Sequence, residues 1–149
     1  MGRITVREAA ESDLPEVLRL LDQMDESMYP QQPAASEAEL RELFRLVLQD
    51  PNQHVLLAET GGRAVGSAHL YVLQHFERRP KRSAVVEGVV VDPAYRGKGV
   101  GAALMRAVAE RFSGRPDAAL RNLERARAAE LGAAADALEA LLMRSAGGS

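Results

Sequence analysis

Two groups of residues in this chain could do chemistry, and one of them is compact. Arg96-Gly97-Lys98-Gly99-Val100-Gly101 sets two cations among three glycines. Glycines let an anion approach the backbone without meeting a Cβ, and a helix starting there would offer unpaired N–H groups carrying partial positive charge. Each such dipole contact is worth about 0.3–1 kcal/mol at an exposed site, so a pyrophosphate held also by Arg96 and Lys98 is a sound anchor. The second group is made of proton carriers. Glu87 lies within an apolar run, and His69 alternates with Ser67 and Tyr71; either could relieve an attacking nucleophile of its proton. A strand glutamate is as often solvated or ion-paired, and a lone strand histidine is more often half-exposed surface. There is no cysteine, which removes disulfides, thiolate zinc sites and a thiol nucleophile together, and no metal site is expected.

The elements around the glycine stretch decide what it can be. Ala84–Val91 is rich in β-branched residues and stops at Asp92-Pro93, so it reads as a buried strand. From Gly99 to Phe112 apolar residues recur at helical spacing, and a helix begins inside the loop. A P-loop needs Lys-Ser/Thr, whereas Lys98 precedes Gly99. Gly97-x-Gly99-x-x-Ala102 satisfies a loose dinucleotide fingerprint, with Asp117 at the distance of a ribose-binding acid. That acid should end a second parallel strand, but a helix and the turn Ser113-Gly114-Arg115-Pro116 precede it, so this design fails as well.

The third design, Arg/Gln-x-x-Gly-x-Gly/Ala, fits Arg96–Gly101. With VVVDPAY before it and AALM after it, the stretch resembles the acyl-CoA-binding core of the GCN5-related N-acetyltransferase (GNAT) superfamily. The resemblance implies that backbone groups of Val89, Val90 and Val91 meet the pantetheine arm and the thioester oxygen. The amides of Arg96, Gly97, Lys98, Gly99, Val100 and Gly101 would then cradle the pyrophosphate. It implies direct transfer from acetyl-CoA to a primary amine, with Glu87 as base and His69 as the alternative. Met28 and Tyr29, between the first two helices, become acceptor contacts on the same ground, and Tyr71 is a further candidate because it shares with Ser67 and His69 a polar strand face that could point into a substrate groove.

Composition sets outer limits. The chain has 149 residues with 21 acidic and 19 basic side chains, a net charge of −2, and a pI near 5.9. That length suits one domain burying roughly two-thirds of its unfolded surface. The charge gives no reason to expect nucleic acid. No apolar run approaches spanning length and Met1–Ala10 lacks a signal core, so no membrane is expected and a cytoplasmic location is the default.

In chain order, Arg3–Glu8 alternates as a strand, and Ser12-Asp13-Leu14-Pro15-Glu16 starts a helix carrying a Leu14, Val17, Leu18 and Leu21 stripe. Ser36-Glu37-Ala38-Glu39 is a capping box that opens a second helix, with Leu40, Leu43, Phe44, Val47 and Leu48 along one side. Asp50-Pro51-Asn52 closes it. Strands at His54–Glu59 and Arg63–Leu73 flank the turn Thr60-Gly61-Gly62, and Gln74–Lys81 reads as a solvated loop. The order β1-α1-α2-β2-β3-β4-α3 is α/β (α+β) and GNAT-like over residues 3–112, a mostly antiparallel sheet with flanking helices.

The tail departs from the family. Residues 113–149 hold no run suited to a strand, and Asp117–Arg144 reads as helix, where the resemblance calls for a fifth strand and a tyrosine acid. An uncovered edge of Ala84–Val91 would need a cover: the tail helix, a strand from a second copy in a homodimer, or a tail altered by a reading-frame change. Three readings therefore stand: an N-acetyltransferase acting on an unnamed amine, an acyl-CoA-binding module with weak or no turnover, and a helical interaction protein acting through its tail.

Overall fold

The computed structural model describes residues 2–24, 33–78 and 81–112. Met28, Tyr29 and the expected tail helix lie outside them. Four strands form one antiparallel sheet in the order β1 (Thr5–Glu8), β2 (Gln53–Thr60), β3 (Arg63–His75), β4 (Lys81–Val91). Among the described residues, β4 has β3 as its sole strand neighbour. Helices α1 (Leu14–Leu21) and α2 (Glu37–Gln49) lie on one face, and α3 (Val100–Arg111) lies on the other.

The two faces follow from the alternation along β3. Ala68 and Leu70 point to the α3 side, where they join Leu56, Val86, Leu104 and Met105 in the larger core. Gly66 is the point of closest approach: a Cβ there would stand 2.8 Å from Val100 Cγ1 and 3.1 Å from the Val90 carbonyl oxygen. Only a glycine lets α3 sit this near the sheet. On the other face Leu57, Val55 and Val90 pack with Leu14, Val17, Leu20 and Phe44.

Local chemistry sets the ends of the helices. Ser36 Oγ accepts from the Glu39 amide at 3.2 Å, and the Glu39 carboxylate accepts from the Ser36 amide at 3.3 Å, completing the expected capping box on α2. Asp13 does not cap α1. Its carboxylate instead accepts from the Ala10 amide at 2.7 Å across a single 3-10 turn, and from the Arg7 guanidinium in two bonds at 2.7 and 2.9 Å. The nearby cation and the turn amide outcompete the helix amides for the same oxygens.

Gln74–Lys81 is not wholly a loop. β3 runs on to His75 and β4 begins at Lys81, because Gln74↔Arg82 and His75↔Lys81 pair in register, with His75 Nε2 2.6 Å from Ser83 Oγ. Cross-strand pairing overrides the polar composition there. The helix stripes also bury less than the sequence suggests. Leu20 is fully buried, whereas Leu21 is 37% and Leu43 57% exposed.

Candidate active site

β4 carries a bulge at its centre. The register runs His69↔Glu87 and then Ser67↔Val90, so β4 spends one residue more than β3 across this step, and Gly88 sits there with φ +59°. An L side chain adopts that φ only with strain. The bulge switches which way the strand faces. Val86 and Val91 pack toward α3, while Val90 packs toward α1 and α2; regular alternation would have kept Val86 and Val90 on the same side. A bulge also leaves a residue out of the ladder, and Gly88 and Val89 have no residue partner in the register with β3.

Beside the bulge a groove of about 290 Å³ runs between the sheet and the two helices. Ser67, His69, Tyr71, Glu87 and Gly88 line its floor. Leu14, Val17, Leu18, Leu21, Leu40 and Val47 are among the residues that wall it. The stripes read from the sequence as core-facing therefore build a cleft. Leu21 leans over the bulge, with its Cδ2 3.5 Å from where a Gly88 Cβ would stand.

His69 is held in place from two sides. Its Nε2 lies 3.0 Å from Gln53 Oε1, so as the groups stand Nε2 carries the proton and Nδ1 is the basic nitrogen. Its ring stacks on Tyr71, with centroids 4.1 Å apart and planes 23° from parallel. Burial pushes the His69 imidazole below the usual histidine range, partly opposed by the charge of Glu87 directly across on β4. Burial and Glu87 both push the Tyr71 hydroxyl up. At neutral pH His69 is therefore uncharged and Tyr71 protonated. Ser67, 2% exposed, has an Oγ with no hydrogen-bond partner among the described residues.

The glycine loop lies at the far end of the same strand. Asp92 holds the exit from β4: its Oδ1 accepts from the Ala94 amide at 3.1 Å, its amide donates to the Val65 carbonyl at 2.8 Å, and Arg19 on α1 reaches its Oδ2 at 3.4 Å. Arg19 also donates to the Ala64 carbonyl at 2.7 Å, tying α1 to this junction. Arg96 Nε turns back onto the Val91 carbonyl at 3.2 Å, and the Lys98 ammonium sits 5.6 Å from the Tyr95 ring centroid. Gly97 (φ +75°) and Gly99 (φ +89°) both take left-handed backbone, and a Cβ at either would meet nothing within 4 Å.

Gly99 is the N-cap of α3 and provides no side-chain cap. The space beside Gly97 and Gly99 is open, Arg96 and Lys98 neighbour it in the chain, and the first amides of a helix such as α3 can take an anion. Val100 lends only its backbone there, since its side chain is buried against Gly66. Gly101 lies in the first turn of α3. Among the described residues, no cluster of three or more His, Asp or Glu side chains could hold a metal ion, and no helix is long and apolar enough to cross a membrane.

β4 thus carries both candidate sites, with Glu87 and the bulge at the groove and Val91–Arg96 leading into the loop. Gly88, Asp92, Arg19 and Gln53 were missed from the sequence, whereas Ser67 was read on the same strand face as His69 and Tyr71, and the three do line the groove together. Gly88 alone carried a signal, since a glycine inside a β-branched strand marks a bulge or a close approach.

Known proteins resemble this chain in sequence and in fold. A glucosamine 6-phosphate N-acetyltransferase of Trypanosoma brucei brucei is 34% identical over 72% of this chain and 70% of its own. A crystal structure of a Trypanosoma brucei acetyltransferase superposes with a TM-score of 0.59 at 33% identity, over 72% of this chain and 73% of that one. A Clostridium acetobutylicum acetyltransferase solved with acetyl-CoA shares the fold, with a TM-score of 0.56 at 13% identity over 72% of each chain. The profile of the Acetyltransferase (GNAT) family matches residues 16–135, and with that match the chain belongs to the GNAT acetyltransferases.

Proposed function

We propose that this protein moves the acetyl group of acetyl-CoA directly onto a primary amine, with the amine in the α1–α2 groove and the pyrophosphate at the head of α3. The observation that supports this is the course of β4. One strand carries Glu87 on the groove floor, the bulge at Gly88–Val89, and the lead into the glycine loop. A donor laid along the strand from the loop would bring its thioester to the bulge, beside the groove.

Each residue then has a defined task. Glu87 takes the proton that the amine must lose to attack, with the basic Nδ1 of neutral His69 as the second candidate. The backbone N–H at Val89 faces the charge that develops on the acetyl oxygen. The new C–N bond forms as the C–S bond breaks, and the amine proton is balanced by protonation of the leaving thiolate. Amides of 96–101 and Lys98 hold the phosphates, Val90 and Val91 align the arm through their backbone, and Tyr71 contacts the acceptor.

The test is thiol release from acetyl-CoA by the full chain, followed with and without amine, with mass spectrometry of the product. Release that requires the amine and yields its N-acetyl derivative is expected. Tight CoA binding with no amine-dependent release would make the protein an acyl-CoA-binding module.

A further inference from the structure

The lining of the groove speaks to the kind of amine it admits, an inference that rests on the acetyl-transfer reading above. The polar groups converge at one end. Glu87 and His69 face each other across β3 and β4, and Ser67 Oγ beside them lacks a partner among the described residues. A carboxylate, a neutral imidazole and an unsatisfied hydroxyl suit an ammonium or amine head, which donates and carries positive charge.

Away from that end the surface is aliphatic. Leu18, Leu21, Leu40, Leu43 and Val47 line it, and no Arg or Lys is among the described lining residues. Leu43 and Leu21 stand 57% and 37% exposed, as walls of a cleft do and as core residues do not. Among the described lining residues a phosphate would meet aliphatic carbon and the Glu87 carboxylate rather than a cation, which leaves its desolvation uncompensated by them. The groove volume of about 290 Å³ stands at the lower end of ligand pockets, roughly 300–1,000 Å³.

We infer that the acceptor is a small primary amine on an apolar body, of the alkylamine or arylalkylamine class, and that phosphorylated amino sugars are disfavoured. The amine head lies at Glu87, His69 and Ser67, and the apolar body lies along α1 and α2.

Two readouts on the full chain separate this from the underlying reaction. Calorimetry with 2-phenylethylamine, in the presence of CoA, reads the groove without turnover; thiol release with 2-phenylethylamine, hexylamine and glucosamine 6-phosphate reads the reaction. Binding of the apolar amine, with kcat/KM at least tenfold above that of the phosphosugar, is expected. Leu43→Lys, an exposed wall position, should lower kcat/KM for 2-phenylethylamine about tenfold while CoA affinity and melting temperature stay near wild type. Binding without turnover of any amine keeps the groove inference and removes the reaction. Turnover of the phosphosugar in preference to both apolar amines overturns the inference and leaves the reaction standing. No binding and no turnover overturn both, and unchanged kinetics in Leu43→Lys would remove the α2 wall from the acceptor site.

Discussion

Glu87 and His69 face each other on adjacent strands, yet their surroundings differ. Glu87 is exposed at the groove floor, and His69 is half-buried under Tyr71 with its Nε2 engaged by Gln53. A carboxylate open to the groove can accept a proton from an incoming ammonium, while the imidazole is held uncharged and oriented beside it. Glu87→Gln should therefore lower kcat by roughly 100-fold with CoA affinity unchanged, as steady-state kinetics and calorimetry would show. The same substitution removes the charge that supports His69 protonation. The imidazole should then titrate at a still lower pH than in the wild type, which an NMR titration of the His69 ring checks. An unchanged rate across the pH range would move the base role to His69 or to a bound water.

Among the elements, β3 and α3 need glycines for different reasons, and the reasons predict different phenotypes. Gly66 is a packing glycine, and a Cβ would collide with Val100 and the Val90 carbonyl. Gly66→Ala should cost about 1–3 kcal/mol of stability by overpacking, read from denaturant unfolding. Gly99 is a conformational glycine with open space around it. Gly99→Val should cost about 1–2 kcal/mol for left-handed backbone, and also weaken CoA binding about tenfold, or about 1.4 kcal/mol, by filling the concavity at the head of α3. Gly62, in the β2–β3 turn, has the same sign of φ and the same open surroundings. Gly62→Val should therefore lose similar stability with no loss of CoA affinity, and a matching loss of affinity in both variants would remove the phosphate role from the loop.

These glycines also show how far the sequence could be read. The strand, loop and helix around Arg96–Gly101 were legible because residue type there dictates backbone: Pro93 ends the strand, Gly99 takes left-handed φ, and apolar residues resume at helical spacing. The four described strands were legible for a similar reason, through alternation, the Gly61-Gly62 turn or a β-branched run, although β3 and β4 extend into Gln74–Lys81, where polar composition hid them. What could not be read depended on partners distant in sequence. Asp13 bonds Arg7 and the Ala10 amide instead of capping α1, and Arg19 reaches Asp92 across 73 positions. Whether Leu21 and Leu43 bury or wall a cleft depends on how far two helices stand from the sheet, which hydrophobic spacing does not encode. The face reversal at Gly88 was hidden because Val89, Val90 and Val91 are chemically alike.

At the scale of the whole molecule, two titrating groups act on the same folding equilibrium in separate pH windows. His69 is depressed in the folded state by burial. It is neutral in both states above the unfolded histidine value, about 6.5, so it costs nothing there; as pH falls below that value the unfolded chain binds the proton first, and stability declines until the folded group titrates too. Asp13 is also depressed in the folded state, to about 2, chiefly by its bonds to the Arg7 guanidinium. Its contribution is present above the unfolded carboxylate value, about 3.9, and is lost as pH falls from there through about 2. The Asp13 side chain is 15% exposed, and Arg7 also binds Glu59 on β2, so the cluster ties β1 and the turn before α1 to the second strand. Allowing for the screening that the 43% exposed Arg7 permits, the loss at Asp13 amounts to about 1–2 kcal/mol. Stability measured by denaturant from pH 8 to pH 2 should therefore fall in two steps. His69→Gln should flatten the upper step and leave the lower, and Asp13→Asn should flatten the lower, with reduced stability at neutral pH. A profile in which Asp13→Asn alters the upper step, or leaves the lower one intact, would show that the Arg7 cluster does not carry the acid sensitivity of the fold.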